Sequence, residues 1–246
     1  MEHDRYYIEG RPSADVVELS REESHHLIHV RRGKPGDAIT LFDGLGNEYA
    51  AEILKVHKGA AVARISATSA VSRELPYRLT LAFAPTKSAA MDDIIRQATE
   101  IGVSILQPVY CENSVVRYKD FPAKSEKLRR TVIESCKQCG RNVLPVIQAP
   151  APFPAFLAGL RASIVLIAHP APDAQTIPEC LAAGGNPDTI VCLVGPEGGF
   201  TDNEIRLASS AGAHIVTLGP TRLRAETAAI AMLAAVTTIL SRGATP

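Results

Sequence analysis

The sequence predicts an α/β fold: a small β-rich module followed by a larger domain built on a parallel sheet. Three observations carry that expectation. Residues 37–67 hold short strand-like runs joined by glycine turns, the pattern of a small antiparallel barrel. From Leu79 onward, apolar β-branched runs alternate with segments of helical period, as in sheets covered by helices on both faces. Near the end, two β-branched runs, Thr189–Val194 and Ala213–Leu218, each break at Gly-Pro and open into a helix-forming segment.

Taken in order, Ser20 followed by Glu23 is a capping-box signature for a short helix through His29. Residues 37–42, 48–56 and 60–67 read as strands, turning at Asp43-Gly44 to Asn47 and at Lys58-Gly59. The polar piece 68–78, with Pro76, reads as a linker, which divides the chain into domains at 1–72 and 73–246. Residues 79–84 are a strand. Ser88 is the expected cap of a helix whose Met91, Ile94, Ile95, Ala98 and Ile101 recur at helical spacing until Gly102 ends it. A strand at 105–109, an amphipathic helix at 123–139 closed by Gly140, a proline-rich loop at 150–154, a short helix and a strand at 163–168 follow. A turn at Gly184 to Pro187 precedes the first Gly-Pro corner. The last helix, 225–241, is apolar nearly all round, so it belongs at the centre of the domain or in a subunit interface.

Composition narrows the function. Lys plus Arg and Asp plus Glu both total 26, so no global field advertises nucleic acid or an anionic membrane, and any basic surface is local. No run is long enough to span a membrane and the start MEHDRYYIEG lacks the apolar core of a signal peptide, so the chain reads as cytoplasmic. Five cysteines, an odd number, fit reduced thiols better than a disulfide framework. Cys136-x-x-Cys139 lies inside a predicted helix without a second pair, and His25 and His29 lack the glutamate of HExxH, so neither is read as a metal site. No GxSxG occurs, which removes the nucleophile-elbow hydrolases.

The two Gly-Pro corners remain. In open α/β sheets ligands settle beyond the carboxyl ends of the strands, where glycines admit close backbone approach and helix N-termini offer unpaired N–H groups. GPEGGF is neither GxxxxGK[ST] nor GxGxxG. The corners also lack the several cations a triphosphate wants, so a ligand held by backbone groups and apolar walls is expected.

GPEGGFTDNEI at 195–205 and LGPTRLRAETAA at 218–229 resemble the two signature motifs of the 16S ribosomal RNA uridine-N3 methyltransferases of the SPOUT superfamily. Lys87, the run 99–103, residues 112–115 and 138–141 resemble that family's middle section, and His26, Val30, Arg32, Gly36, Asp37, Asp43 and Gly44 its first domain. The resemblance implies an N-terminal PUA-like β-barrel and a C-terminal SPOUT domain with a trefoil knot near 190–235. It also implies S-adenosylmethionine as donor with no metal, 16S rRNA of the small ribosomal subunit as substrate, and a homodimer.

By that resemblance Leu193, Gly195, Pro196, Gly198, Leu218, Gly219, Pro220, Leu223 and Thr227 line the donor pocket, mostly through backbone groups. A valine at Gly195 is then expected to abolish donor binding and leave the fold intact. Methylating uracil N3 requires removal of its proton or cationic stabilisation of the anion, which points to Arg224, Glu226 and Glu197 as catalytic candidates. Glu226 equally suits a plain helix-dipole role, and Glu197 a bracing of its loop. Residues 117–141 hold eight Lys or Arg against three acids, with Lys127, Arg130, Lys137 and Arg141 on one helix face. RNA contacts are therefore expected from Arg5, Arg11, Arg32, Lys87, Arg117, Arg130 and Arg141. A methyltransferase for another RNA position and a non-catalytic RNA-binding protein are the alternatives, and the identity of the modified nucleoside separates them.

Overall fold

The computed structural model describes residues 4–183 and 185–241, except the side chain of Ser88. Its contacts divide into two compact units. The first comprises residues up to Glu74 together with Ile133–Leu144; the second comprises Leu75–Val132 and residues from Pro145 onward. The expected domain 73–246 thus differs from the observed unit chiefly by Ile133–Leu144, which packs with the first unit.

In the first unit, β1 (Arg5–Tyr7), β2 (Val16–Glu18), β3 (Ala38–Phe42), β4 (Glu48–His57) and β5 (Ala60–Ser69) form one sheet in the order β1-β3-β4-β5-β2. Tyr6, Leu27, Leu41 and Ile53 are its nearly fully buried centre. Register shifts at Ala50/Ala51 and Ile53/Lys55 mark bulges that bend the long β4. The antiparallel expectation is corrected at one edge, because β1 pairs parallel with β3. Three residues carry no period from which that pairing could be read. Ser20 caps α1 (Arg21–His25) by accepting from the Glu23 N–H at 3.2 Å, and the helix continues as a π-helix over His26–Val30.

The turn after β3 is organised by Asp43. Its carboxylate accepts from the N–H groups of Leu45 and Asn47, the Asn47 side-chain amide and the Tyr49 hydroxyl, at 2.6–3.1 Å. Burial acts to raise its pKa, but these four donors outweigh burial and hold it below the ordinary value of 3.8. Ile133–Leu144 joins this unit through ions. Lys137 meets Glu23 at 3.0 Å, Arg5 and Arg73 both meet Glu48, Arg141 meets Glu74, and Asn142 accepts from Arg5 at 2.7 Å.

Among the described residues, every strand pair of the second unit is parallel. β6 (Arg78–Phe83), β7 (Ile105–Tyr110), β8 (Val146–Ile147), β10 (Ile164–Ala168), β11 (Thr189–Val194) and β12 (His214–Val216) lie in the order β12-β10-β11-β6-β7-β8, with β9 (Ala151–Pro152) on β7. The helices are α2 (Ser88–Ile101), α3 (Phe121–Cys139), α4 (Phe153–Gly159), α5 (Ile177–Ala183), α6 (Asp202–Ser210) and α7 (Ala225–Leu240). The cap position of α2 falls on Lys87, so Ser88 is its first helical residue rather than the cap. Gly102 ends α2 in the left-handed conformation, φ 108°. Of the expected face, Met91, Ile94, Ile95 and Ala98 are buried and Ile101 only partly so. Gly184, in the expected 184–187 turn, lies outside the described residues.

α7 packs on α2, α5, β11 and β6, burying Ala228, Ala229, Met232, Leu233 and Val236. On the opposite face of the sheet, Val191, Leu193, Val165 and Ile167 form a core with Phe153, Leu157, Phe200 and Ala208 from the α4 and α6 side. Among the described residues no helix is long and apolar enough to cross a membrane.

Candidate functional site

Because the strands run parallel, the segments after β6, β10, β11 and β12 all emerge at one edge of the sheet. The ladder bonds persist just past the strand ends: Ala84 donates to Val194 O at 3.0 Å and His169 to Val216 O at 3.1 Å. There the chain encloses a cavity of about 890 Å³, lined by Lys87, 168–170, 194–200, 222–226 and Ala228. That volume is within the range of pockets that enclose a nucleoside-sized ligand, about 300–1,000 Å³.

The wall at 195–200 is shaped by its glycines and by Phe200. A Cβ on Gly195 would stand 2.8 Å from Phe200 Cε2, closer than carbon atoms approach. Phe200 is held in turn by Phe153, centroid to centroid 5.5 Å. A valine at 195 therefore cannot leave the packing intact, and that part of the expectation is withdrawn. Gly199 adopts φ 74°, where a side chain is strained, and its N–H closes a turn on Pro196 O at 2.8 Å. Gly198 approaches Asn113, whose Cβ would lie 3.1 Å from an added one.

The segment is also tied from outside. Asn113 Nδ2 donates to Gly199 O at 3.1 Å and to Gly198 O at 3.4 Å. Glu204, buried in the first turn of α6, accepts from the Glu112 N–H at 2.8 Å through Oε1 and from the Thr201 N–H at 2.9 Å through Oε2. Thr201 caps α6, completing the capping box that T-x-x-E at 201–204 encodes.

The opposite wall is the start of α7. Arg224 occupies the cap position without a side-chain cap bond, so the first N–H groups of the helix have no capping side chain. The Arg224 guanidinium is 86% exposed and stands 4.0 Å from the Glu226 carboxylate, which is 30% exposed. Lys87, Arg222 and Glu197 are exposed at the same cavity, and His169 is half-buried there. The cavity thus joins an apolar and glycine wall to a rim of three cations and two carboxylates. Burial pushes the Cys111 and Cys192 thiols up to about 12, which disfavours their thiolates. Cys136 is likewise buried and pushed up to about 12.

The expected donor residues separate. Gly195, Pro196, Gly198 and Leu223 line the cavity, as do Glu197, Arg224 and Glu226, whereas Leu218, Gly219, Pro220 and Thr227 are not among its walls. Leu193 is fully buried and points into the core on the α4 and α6 side. Lys87, expected to touch RNA, lies at the cavity. Arg11, Arg32, Arg117 and Arg130 are exposed, Arg117 lying over the Tyr110 ring. Arg5 and Arg141 are corrected as phosphate contacts, because their side chains are only 9% and 4% exposed and their charges are spent on Glu48 and Glu74. Lys137 is buried against Glu23, which breaks the expected basic stripe.

The sequence assigns no individual site role to His169, Arg222, Phe200, Asn113 or Glu204, although all but His169 lie in the motif segments it singles out. His169 was within reach, since it follows the expected strand 163–168 and the strand-end rule applies there too.

The chain matches the family model for an RNA methyltransferase domain over residues 73–237, and that for an RNA methyltransferase PUA domain over residues 19–66. It is 33% identical over 227 residues to the ribosomal RNA small subunit methyltransferase E of Synechocystis, covering 92% of this chain and 74% of that one. Its structure is similar to that of a methyltransferase from Legionella pneumophila in complex with the bound cofactor SAM: 33% identity, TM-score 0.91, 97% and 98% of the two chains covered. It is also similar to the ribosomal RNA small subunit methyltransferase E from Neisseria gonorrhoeae bound to S-adenosyl methionine: 31% identity, TM-score 0.87, 97% and 98% covered.

Proposed function

The chain belongs to the RNA methyltransferase family, its methyltransferase domain preceded by an RNA methyltransferase PUA domain, and from that premise we propose that it methylates N3 of one uridine in 16S rRNA of the small ribosomal subunit, with S-adenosylmethionine as donor. One observation carries the reading: the glycine wall at 195–200 and the uncapped start of α7 face one cavity at the carboxyl edge of a parallel sheet.

The residues fit the donor. Gly195 lets the ring of Phe200 pack against its backbone, where an added Cβ would collide, so at this point the cavity is bordered by main chain rather than by a side chain of residue 195. Gly195, Pro196, Gly198 and Leu223 would hold the adenosine part, through backbone groups and apolar contact. Bound there, S-adenosylmethionine supplies an electrophilic methyl group on sulfur.

The protein's residues do the rest by alignment and charge. The uracil N3–H bond gives up its proton to a carboxylate oxygen of Glu226 or Glu197, and the freed pair forms the new N–C bond. The pair of the breaking C–S bond stays on sulfur. Arg224 stabilises the negative charge that spreads over the uracil oxygens, an electrostatic role suited to its place beside the cavity. No step calls for a metal.

Exposed Arg11, Arg32, Arg117 and Arg130 serve the RNA backbone. The outer face of α7, with Thr227, Ala231, Ala234 and Thr238 exposed or half-buried, suits a second copy of the chain in a homodimer. A trefoil knot near 190–235 and a cytoplasmic location complete the reading.

The test is nucleoside mass spectrometry of small-subunit RNA incubated with donor and protein. One new 3-methyluridine is expected. N1-methylguanosine or a 2′-O-methyl nucleoside would reject the uridine assignment, and no methyl transfer to any RNA would reject the enzyme. Arg224→Ala is expected to lower kcat by about 10²-fold while sparing donor affinity, as removal of a charge-stabilising donor does.

A further inference from the structure

A turn that does not border the cavity is bolted to its glycine wall. Residues 111–114 form that turn after β7: Ser114 N–H donates to Cys111 O at 3.1 Å and Cys111 N–H to Ser114 Oγ at 2.9 Å. Two side chains link it to the segment 198–204. Asn113 supplies two donors to successive carbonyls, Gly198 O and Gly199 O. Glu204 divides its carboxylate, giving Oε1 to the turn, through Glu112 N–H, and Oε2 to Thr201. Beyond the turn lies an exposed arm, with Val115 82% exposed and Arg117 at the surface.

We propose that Asn113 and Glu204 are positioning residues that set the glycine wall for the donor and couple it to the exposed arm at 112–117. The proposal rests on the donor reading above. A carbonyl fixed by a donor fixes its whole peptide plane, because the peptide is rigid. Asn113 therefore sets two successive planes in a stretch where glycine leaves the backbone otherwise free to turn. Glu204 fixes the far end of that stretch and the arm through one buried carboxylate, so ordering of either is felt by the other. Coupling of this kind is reciprocal: a ligand that orders the wall orders the arm, and RNA that orders the arm tightens the donor.

The two oxygens of Glu204 allow the roles to be separated. In Glu204→Gln one oxygen becomes an NH₂ group. Keeping its oxygen on Thr201 preserves the helix cap, since glutamine also serves in a capping box. The amide then presents a donor to the Glu112 N–H, so the link to the arm is cut while the cap survives. Asn113→Asp is the second variant. It keeps the shape of the side chain and replaces the two donor bonds with a charge facing two carbonyls.

The experiment uses the full chain and S-adenosylhomocysteine, the unreactive product, in calorimetry, with amide hydrogen exchange read at 112–117. Wild-type protein should bind, and binding should slow exchange in the arm. Each variant should bind about tenfold more weakly, an effect of the size that one net hydrogen bond contributes. In Glu204→Gln the ligand should no longer slow exchange in the arm, a readout that a purely structural role would not move. If wild type binds and both variants bind equally well with arm protection unchanged, the coupling is refuted and the donor reading stands. If wild type shows no binding heat, the donor reading falls and this proposal with it. A near-native unfolding midpoint in either variant keeps the result interpretable, because the two substitutions attack separate bonds.

Discussion

Gly195→Ala isolates the contact on which the wall at 195–200 depends. Gly195 does not occupy the left-handed region, so the substitution carries no backbone strain and its whole effect is the added carbon. That carbon would sit 2.8 Å from Phe200 Cε2, 3.0 Å from Cδ2 and 3.1 Å from Cζ. Carbon pairs settle at about 3.5–4.0 Å, so the ring must withdraw by about 0.7 Å or more. It has little room to do so, being packed on fully buried Phe153. Forcing an extra carbon into such packing costs about 1–3 kcal/mol. The assay is a double-mutant cycle by urea unfolding with Phe200→Leu, which removes Cε2 and Cζ. The added carbon should cost about 1 kcal/mol less or better in the Phe200→Leu background, and donor affinity should fall with Gly195→Ala alone. If the two changes add to within about 0.3–0.5 kcal/mol, Phe200 is not what demands glycine at 195, and the reasoning fails.

Other outcomes follow from the charges. Asp43 and Glu48 are held below their ordinary values of 3.8 and 4.5, in each case because hydrogen bonds and, for Glu48, arginine charges outweigh burial. The unfolded chain therefore takes up protons first as pH falls. Stability that is fully present above those values should be lost as pH drops through the lower folded ones, and in thermal unfolding Asp43→Asn should flatten part of that slope. Arg5→Met should destabilise by about 3 kcal/mol, because it removes a buried partner of Glu48, and should leave the salt dependence of RNA binding unchanged. Arg117→Ala should instead spare the unfolding midpoint and reduce the slope of log K against log salt by about 1, as one lost phosphate contact does.

Much of the second unit could be read directly because buried parallel strands are written as continuous apolar runs, and TIVCLV at 189–194 is one. The same property hid which way Leu193 faces. When both sides of a strand are apolar, nothing in the run tells the cavity side from the core side, and the structure turns the Leu193 side chain into the core. The basic stripe on α3 failed differently. Lys137 is neutralised by Glu23, 114 residues away, and Arg141 by Glu74, 67 residues away. Helical spacing records which residues share a face and nothing of what the fold brings against it. Glu204 takes no role from the sequence, because its partner Glu112 is distant in sequence.

The division among the expected donor residues has a geometric cause. Strand order places β10 between β11 and β12, so the two Gly-Pro corners start two strand spacings apart, about 10 Å. The corner at 218–220 is thus too far out to wall a cavity centred beyond β11. α7, however, packs back over β11 and β6, so the chain must return across that gap before Ala225. About three extended residues would cover 10 Å, and the segment 217–224 is longer than that. The surplus brings 222–224 to the cavity as its second wall. Deleting Thr221 should therefore shorten the wall without unseating α7, whose Met232 and Leu233 are fully buried. The expected result is a near-native unfolding midpoint with donor binding lost in calorimetry. Retention of both would mean that the length of this return path does not build the site.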